Sequence, residues 1–144
     1  EIERFEFFLK NINYKFKYSI DSTNINVIEK AIEAKNKAIC PYSNYPVGVA
    51  LLTDNDKIII GFNIESKAYP TTLCAERVAI FSALSLGHKV FKTMAIVTND
   101  GAMPCGSCRQ IIHEFAGNIS ILISDSKGKK LRTTIQDLLP KPFG

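Results

Sequence analysis

Thr72-Leu73-Cys74-Ala75-Glu76-Arg77 and Pro104-Cys105-Gly106-Ser107-Cys108-Arg109-Gln110 together hold three thiols and one carboxylate. Cys105 and Cys108 are three residues apart, so one helical turn points both sulfurs the same way. If Cys74 begins a helix, its sulfur can face a metal ion while Glu76 reaches over that ion without binding it. Three protein ligands leave one of four tetrahedral positions open for water, which is typical of catalytic rather than structural zinc.

A Cys-x-x-Cys pair alone leaves other interpretations open. A redox pair is expected to open the first helix after a strand in a thioredoxin-like order, and that order is absent here. A structural zinc needs a fourth Cys or His at paired spacing, which His88 and His113 do not provide. We interpret both histidines as ordinary surface or interface residues. We expect Cys40, the remaining thiol, to be a small buried hydrophobic residue.

The combined pattern Cys74-Ala75-Glu76 and Pro104-Cys105-x-x-Cys108 is far more specific. It resembles the cytidine deaminase family of zinc-dependent enzymes, and the resemblance covers about residues 24 to 144. It implies one Zn²⁺ per subunit, held by Cys74, Cys105 and Cys108, with Glu76 as the catalytic residue that moves protons. The expected reaction is hydrolytic deamination of cytidine and deoxycytidine to uridine and deoxyuridine with release of ammonia, a step of pyrimidine salvage.

Two arginines adjoin these site residues. Three thiolates on one divalent ion leave a net negative cluster, which would weaken the metal as a Lewis acid. Helix N-termini compensate in part, because their partial positive charge stabilises thiolates. We expect Arg77 and Arg109 to hydrogen-bond sulfur and tune the thiolates, as an arginine does in similar enzymes; for Arg109 a plain surface charge is an equal alternative.

The resemblance extends to a substrate loop, Tyr42-Ser43-Asn44-Tyr45-Pro46-Val47-Gly48. It implies that Tyr45 stacks near the pyrimidine. Phe is more usual at this position, so the added hydroxyl needs a hydrogen-bond partner. Asn63 and Glu65 match the motif that holds the ribose hydroxyls, with a polar strand end as the alternative. The backbone N–H groups of Ala75 and Cys105 are expected to help hold the ring.

Matches outside these motifs imply an assembly. Tyr69 matches a family tyrosine that precedes the zinc helix. Phe143 lies in a matching C-terminal segment, and the resemblance implies that it reaches a neighbouring subunit's base pocket in a homotetramer with shared active sites. The chain departs from the family at Ser66-Lys67, where Lys67 could alter affinity or favour an anionic group. Residues 99–103 form a short loop that is expected to leave the pocket more open.

Hydrophobic periodicity predicts an α/β fold, a three-layer α/β/α domain with a mixed sheet of about five strands. The predicted helices cover residues 22–39, 72–86, 105–116 and 135–139, and the predicted strands cover 47–52, 57–62, 91–98, 119–123 and 130–133. Cys40-Pro41 is expected to end the first helix, with Glu33 and Lys37 paired on its outer face. Phe115 is expected to point inward.

Length and charge limit the function classes. The chain has 144 residues, a length that suits one domain. Its formal net charge of +4 is too small to indicate a nucleic-acid-binding surface. We interpret Lys127, Lys129, Lys130 and Arg132 as a solvated turn and strand edge. We divide the chain into an aromatic N-terminal extension, residues 1–21, and a catalytic domain, residues 22–144. The extension is expected to cover the domain or a neighbouring subunit, with a partner-binding arm as the alternative.

The location is predicted from what the sequence lacks. The first residues are charged where a signal peptide would be apolar, and no run approaches the roughly 18 apolar residues of a membrane span. We therefore expect a cytoplasmic protein without membrane or nucleic-acid partners, whose thiols are reserved for metal. Because the sequence begins at Glu1, we expect a trimmed or processed form.

Three other functions remain open. One is deamination of another aminopyrimidine nucleoside such as blasticidin S. A second is editing of nucleic acid, which needs a basic, aromatic groove for an extruded base. A third is a non-catalytic binding module stabilised by zinc. The set of Tyr45, Asn63 and Glu65 favours an ordinary nucleoside, and the presence of Glu76 favours an enzyme.

Overall fold

The computed structural model describes residues 22–144, so the predicted extension and its boundary at residue 21 lie outside the described residues and stay predictions. The helices are α1 Ser22–Lys35, α2 Ala75–Ser85, α3 Gly106–Ala116 and α4 Ile135–Leu138, with a short 3-10 helix at Tyr69–Thr71. The strands are β1 Gly48–Thr53, β2 Ile58–Phe62, β3 Phe91–Val97, β4 Ser120–Ser124 and β5 Lys130–Thr134.

The five strands form one mixed sheet in the order β2-β1-β3-β4-β5. Strand β1 pairs antiparallel with both β2 and β3, and β4 pairs antiparallel with β5. Strands β3 and β4 are parallel, and such a pair needs a crossover, which α3 supplies. The predicted five-stranded mixed sheet is therefore confirmed.

Strand alternation divides the interior into two cores. Val49 and Leu51 of β1 belong to one buried cluster, which also contains residues of α2, α3 and α4. Ala50 and Leu52 of the same strand belong to a second cluster, which contains residues of α1. Successive side chains of a strand point to opposite faces, so helices cover the sheet on both sides. This arrangement is the predicted three-layer α/β/α design.

Gly61 lets α2 pack directly on the sheet. A Cβ atom built on Gly61 would collide with the carbonyl oxygen of Ala75 and would lie 2.5 Å from the backbone N of Ala79. Real Cβ atoms do not approach backbone atoms that closely, so only glycine permits this contact. Contact between backbone atoms therefore sets the distance between the first turn of α2 and strand β2.

The first helix is shorter than predicted. It ends at Lys35, and the following segment pairs with the chain after β2: the N–H of Ile39 donates to the Asn63 carbonyl at 3.0 Å, and the N–H of Glu65 donates to the Ile39 carbonyl at 2.8 Å. This long-range pairing overrides the helical periodicity of residues 36–39. Cys40-Pro41 therefore does not end the helix, and the prediction that it does is wrong.

Four smaller predictions are also wrong. Glu33 pairs with Lys30, at 3.2 Å, rather than with Lys37. Cys40 is partly exposed rather than buried. Helix α2 begins three residues after Thr72, because Leu73 exchanges two hydrogen bonds of 3.0 Å with Ile64 and so stays extended. Phe115 points outward and packs edge-on against Phe81 of α2, with ring centroids 6.3 Å apart.

Within residues 22–144, the structure contains no helix with the length and apolar character of a membrane span.

Candidate active site

Three cysteine sulfurs converge between the N-termini of α2 and α3. Cys74 is the N-cap residue of α2, Cys105 is the N-cap residue of α3, and Cys108 lies in the first turn of α3. Their sulfur atoms all lie within 4.8 Å of one another, and they are the metal-ligand cluster found in the described part of the chain. The spacing therefore brings together the ligand set that the sequence predicts.

The capping geometry explains how each sulfur is directed. Cys74 and Cys105 both have extended backbone, with ψ of 152° and 165°, so each stands just outside its helix. The Cys105 sulfur accepts a hydrogen bond from the Cys108 backbone N–H at 3.5 Å. The unpaired N–H groups and the helix dipole make both termini favourable for thiolates.

Arg77 contacts the cluster as predicted. Its Nη2 donates to the Cys74 sulfur at 3.3 Å. A hydrogen bond from Cys108, together with Arg77, lowers the pKa of Cys74 to about 5. The pKa of Cys108 is instead raised, because its thiol is hydrogen-bonded to Cys74 and is buried close to Glu76. The two pKa values move in opposite directions, so ionising all three sulfurs together is favourable only with a cation between them.

Zinc fits this donor set. Thiolates are soft ligands that suit Zn²⁺, and three sulfurs within 4.8 Å of one another are close enough to bind one ion. Glu76 does not belong to the three-sulfur set, but it lies against the set. Its Oε2 accepts a hydrogen bond from the Cys108 thiol at 3.5 Å.

Glu76 is an almost fully buried carboxyl group. Only 5% of the residue is exposed, and burial raises its pKa above the usual value of 4.5. A raised pKa lets a carboxyl group both accept and return a proton near neutral pH. The position beside a metal-binding cluster and the raised pKa together suit general acid–base chemistry.

A cavity of about 410 Å³ opens beside the sulfur cluster, within the range of small-molecule sites. The lining includes seven residues that the sequence singles out: Tyr45, Asn63, Glu65, Cys74, Ala75, Glu76 and Cys105. Ala75 is the first residue of α2, so its N–H has no partner within the helix and can face a ligand.

Asn63 and Glu65 also organise the substrate loop. The Asn63 side chain accepts from the Val47 N–H at 2.9 Å and donates to the Tyr45 carbonyl at 2.9 Å. Glu65 Oε1 accepts from the N–H groups of Tyr42 and Ser43, both at 3.1 Å. An amide and a carboxylate each have further hydrogen-bonding positions, so this bracing leaves capacity for sugar hydroxyls.

Tyr69 and Phe143 do not line the cavity of their own chain. Tyr69 is 71% exposed, and its ring lies edge-on to Tyr42 with centroids 6.0 Å apart. Phe143 is 90% exposed, although its backbone is fixed: Gln110 donates to its carbonyl at 3.0 Å and accepts from its N–H at 3.1 Å. This clamp was not predicted from the sequence, although Gln110 lies only two residues after the second cysteine of the pair.

Arg109 does not contact sulfur. Its Nε donates to the Pro104 carbonyl at 2.7 Å, and its Nη1 donates to the Leu138 carbonyl at 2.9 Å. The side chain points back along its own helix and across to α4, so its donors meet carbonyls rather than the cluster. The prediction that Arg109 hydrogen-bonds a thiolate is wrong; the residue braces the loop before Cys105 and the end of α4.

The segment after β3 supplies lining residues that sequence reasoning missed. Thr98, Ala102 and Met103 line the cavity, and Asp100 contacts Tyr45. A signal was present, because polar residues that follow a buried strand often stand at a ligand-binding edge of a sheet. The short loop was predicted to leave the pocket more open, and that prediction did not include the contact between Asp100 and Tyr45.

The fold and the site together define a zinc-binding α/β/α domain with one buried acid beside three sulfur ligands. Residues 21–123 match the family described as "Cytidine and deoxycytidylate deaminase zinc-binding region". The chain belongs to this family, whose members are zinc-dependent deaminases.

Individual relatives cover most of the chain. A cytidine deaminase of Sporosarcina psychrophila is 43% identical over 120 residues, which cover 81% of this chain and 88% of the relative. A blasticidin-S deaminase of Bacillus cereus is 32% identical over 136 residues, which cover 88% of this chain and 96% of the relative. The crystal structure of cytidine deaminase from Burkholderia pseudomallei has a TM-score of 0.81 and 38% identity, and the match covers 83% of this chain and 98% of that one.

Proposed function

We propose that this enzyme hydrolyses cytidine and deoxycytidine, so that each nucleoside and one water give uridine or deoxyuridine and one ammonia. The observation that carries the proposal is the buried carboxyl group of Glu76, which lies 3.5 Å from a sulfur of the zinc cluster in the lining of a nucleoside-sized cavity. Cytidine deaminases that are 38% and 43% identical to this chain support the choice of substrate.

Zinc, when bound by Cys74, Cys105 and Cys108, supplies the Lewis acidity that makes water a nucleophile at neutral pH. Glu76 takes a proton from the attacking water and delivers it to N3 of the cytosine ring. Glu76 then takes the second proton of that water from the new C4 hydroxyl and passes it to the amine, so the C4–N bond breaks, ammonia leaves and the C4 oxygen becomes the carbonyl of the product. The raised pKa of this buried side chain suits both transfers.

Residues around the cavity orient the nucleoside. The ring of Tyr45 lies against the pyrimidine, and the N–H groups of Ala75 and Cys105 face the ring where α2 and α3 begin. Asn63 and Glu65 hold the sugar hydroxyls with the hydrogen-bonding positions that remain beyond their loop contacts. Arg77 offsets the negative charge of the thiolates through its contact with Cys74.

The active sites are shared between subunits of a homotetramer. Phe143 supports this arrangement, because an aromatic side chain that is 90% exposed stands on a backbone fixed by two hydrogen bonds to Gln110. An exposed aromatic side chain on an ordered backbone is stabilised only when another surface covers it. Tyr69, 71% exposed next to the zinc helix, belongs to the same subunit contact.

The same proposal covers the setting of the reaction. Pyrimidine salvage is the role that these substrates and products fit. Four free cysteines, three of them needed as metal ligands, suit the reducing cytoplasm. A small cavity lined by nucleoside-binding groups suits a free nucleoside rather than nucleic acid or a membrane.

A substrate panel tests the proposal. Protein with its zinc quantified is assayed for ammonia release from cytidine, deoxycytidine, their monophosphates, blasticidin S and single-stranded oligonucleotides. We expect turnover of the two nucleosides, and the Glu76→Gln variant, loaded with the same amount of zinc, serves as the control. Ammonia release from blasticidin S or the oligonucleotides but from neither nucleoside would overturn the choice of substrate.

A further inference from the structure

One polar bridge connects two loops beside the cavity. The hydroxyl of Tyr45, in the loop before β1, donates to Oδ1 of Asp100, in the loop after β3, at 2.5 Å. Tyr45 lines the cavity, and so do Thr98 and Ala102, which flank Asp100 in sequence. The Tyr45–Asp100 bridge therefore joins two loops that both contribute to the cavity lining, and it supplies the partner that the extra hydroxyl of Tyr45 requires.

Asp100 is held in place independently of Tyr45. Its Oδ1 also accepts from the Thr98 hydroxyl at 3.2 Å and from the Ala102 N–H at 3.3 Å. The Thr98 oxygen in turn accepts from the same Ala102 N–H at 3.0 Å, and Thr98 is buried. Because two donors of its own loop fix the carboxylate, it presents a preset acceptor to the tyrosine.

Tyr45 is fixed at its backbone as well. Its N–H donates to the Ser43 hydroxyl at 3.1 Å, and its carbonyl accepts from the buried Asn63 amide at 2.9 Å. A tyrosine side chain has two rotatable torsions before the ring, so fixing the backbone and the hydroxyl leaves the ring little freedom. The Tyr45 side chain is therefore restrained at both ends, by backbone contacts to Ser43 and Asn63 and by the hydroxyl contact to Asp100.

The ionisation states of Tyr45 and Asp100 favour the hydrogen bond between them. Hydrogen bonding from Tyr45 lowers the pKa of Asp100, and burial followed by the contact with Asp100 raises the pKa of Tyr45. A neutral phenol therefore faces an ionised carboxylate throughout the neutral range. Hydrogen bonds from a hydroxyl to a charged oxygen are shorter and stronger than neutral ones.

We propose that Asp100 is a positioning residue, which acts through Tyr45 to hold that ring ready for the pyrimidine. Without the bridge the ring samples other rotamers, and the substrate must order it on binding. The cost of ordering one such side chain corresponds to about a two- to tenfold loss of affinity. The identity of the ligand rests on the proposed function, whereas the bridge itself does not.

Steady-state kinetics of four variants test this role. We expect Tyr45→Phe and Asp100→Ala each to raise KM for cytidine by about two- to tenfold with kcat nearly unchanged, since ring order serves substrate and transition state alike. The double variant should be no worse than the worse single variant, because each change breaks the same bridge. Asp100→Asn keeps an acceptor oxygen and should restore most of the affinity.

Asp54→Ala is the matched control. It removes an exposed carboxylate from the turn after β1, which does not line the cavity, so KM should not change. Multiplicative effects in the double variant, or unchanged KM in both singles, would overturn the proposal. A fall in kcat and melting temperature that Asp100→Asn does not rescue would show a merely structural role, which also overturns it.

A readout without turnover separates this proposal from the proposed function. Tyrosine ionisation, followed by absorbance, should show one tyrosine that titrates at lower pH in Asp100→Ala than in the wild type, and the difference should vanish in the Tyr45→Phe background. If the wild type deaminates neither nucleoside, the proposed function is wrong, but the titration still shows whether the bridge between Tyr45 and Asp100 forms. Identical titrations of wild type and Asp100→Ala would show that the bridge does not form in solution.

Discussion

At the scale of single residues, the proposed chemistry depends on where the Glu76 carboxyl group is buried. The side chain is 5% exposed, and it lies beside three sulfurs that can hold a metal ion without a fourth protein ligand. Its carboxyl group is therefore available for proton transfer rather than for coordination. Metal binding and turnover should accordingly respond differently when this one side chain is changed.

The Glu76→Gln variant tests that separation. The amide keeps the shape of the side chain but cannot carry protons, so kcat should fall by about a hundred- to ten-thousandfold. Zinc content should stay equal to that of the wild type, because Cys74, Cys105 and Cys108 are unchanged. Elemental analysis and ammonia release on the same sample give both quantities. Parallel loss of zinc and activity would show that Glu76 is a ligand instead.

Glu65 predicts a dependence on pH. A hydrogen bond from Ser43, supported by backbone N–H groups, lowers the pKa of Glu65 below 4.5. A carboxylate with a lowered pKa in the folded state contributes stability that is present above 4.5 and is lost as the pH falls through the lowered value. Amide exchange should therefore show the Tyr42 and Ser43 N–H groups protected at neutral pH and less protected in acid.

The Glu65→Gln variant is the control for this prediction. Its side chain is neutral at every pH but keeps an acceptor oxygen, so the protection of the two N–H groups should not respond to acid beyond the response of the whole domain. A loss of protection in acid that is equal in the wild type and the variant would contradict the assigned role of the carboxylate.

The placement of a site residue could be predicted where its spacing in the sequence determines it. Cys105 and Cys108 are one helical turn apart and so face one way. Cys74 and Glu76 are two residues apart, and they meet because Cys74 is the extended N-cap residue of α2. Arg109 was not predictable, because its neighbours in space, the carbonyls of Pro104 and Leu138, depend on how α3 meets α4. Asp100 was missed for the same reason, since its partner Tyr45 is distant in sequence.

At the scale of elements, the position of α2 on the sheet determines where Ala75 and Glu76 stand. Gly61 of β2 lies under this helix, in contact with the backbone of Ala75 and Ala79. The sequence predicts both the strand and the helix, but not that a missing side chain between them sets the depth of the active site. The start of α2 was likewise misplaced, because pairing of Leu73 with Ile64 keeps the preceding segment extended.

The Gly61→Ala variant should therefore damage stability and activity together. The added methyl group forces the helix away from the sheet, and overpacking of this kind costs about 1–3 kcal/mol. Thermal unfolding and kcat/KM for cytidine measure the two effects. Adding Ala79→Gly should not rescue the variant, because backbone atoms of Ala75 and Ala79 remain in the way.

Gly106→Ala is the control for stability, since a methyl group there meets nothing within 4 Å. Its melting temperature should match that of the wild type. A Gly61→Ala protein with the melting temperature and kcat/KM of the wild type would contradict the assigned packing of α2.

At the scale of the whole molecule, one chain contains the metal ligands and Glu76 but leaves Phe143 pointing into solvent. Strand alternation and helical periodicity predict the two cores and three layers, because each pattern is local. They say nothing about which exposed side chains another subunit covers. The assignment of Phe143 to a neighbouring site therefore needs an experiment on assemblies.

Mixing two defective proteins provides that experiment. Glu76→Gln subunits lack the proton carrier, and Phe143→Ala subunits lack the side chain offered to a neighbour. If sites are shared, mixed assemblies formed by joint refolding should contain sites with Glu76 from one chain and Phe143 from the other. Cytidine turnover of the mixture should then exceed the sum of the separate proteins.

The control for the mixing experiment is joint refolding of Glu76→Gln with a protein that carries both substitutions, which cannot build a complete site. Turnover of the Glu76→Gln and Phe143→Ala mixture that merely equals the sum of its parts would contradict shared active sites.

The central claim is that three cysteine sulfurs hold one zinc ion on which deamination depends. The most direct measurement removes zinc from the purified enzyme with a chelator under reducing conditions, restores it in steps, and records ammonia release from cytidine against zinc per chain. The account predicts that release rises in proportion to zinc and saturates at one ion per chain. Full activity in metal-free protein, or no ammonia from protein carrying one zinc per chain, would contradict it.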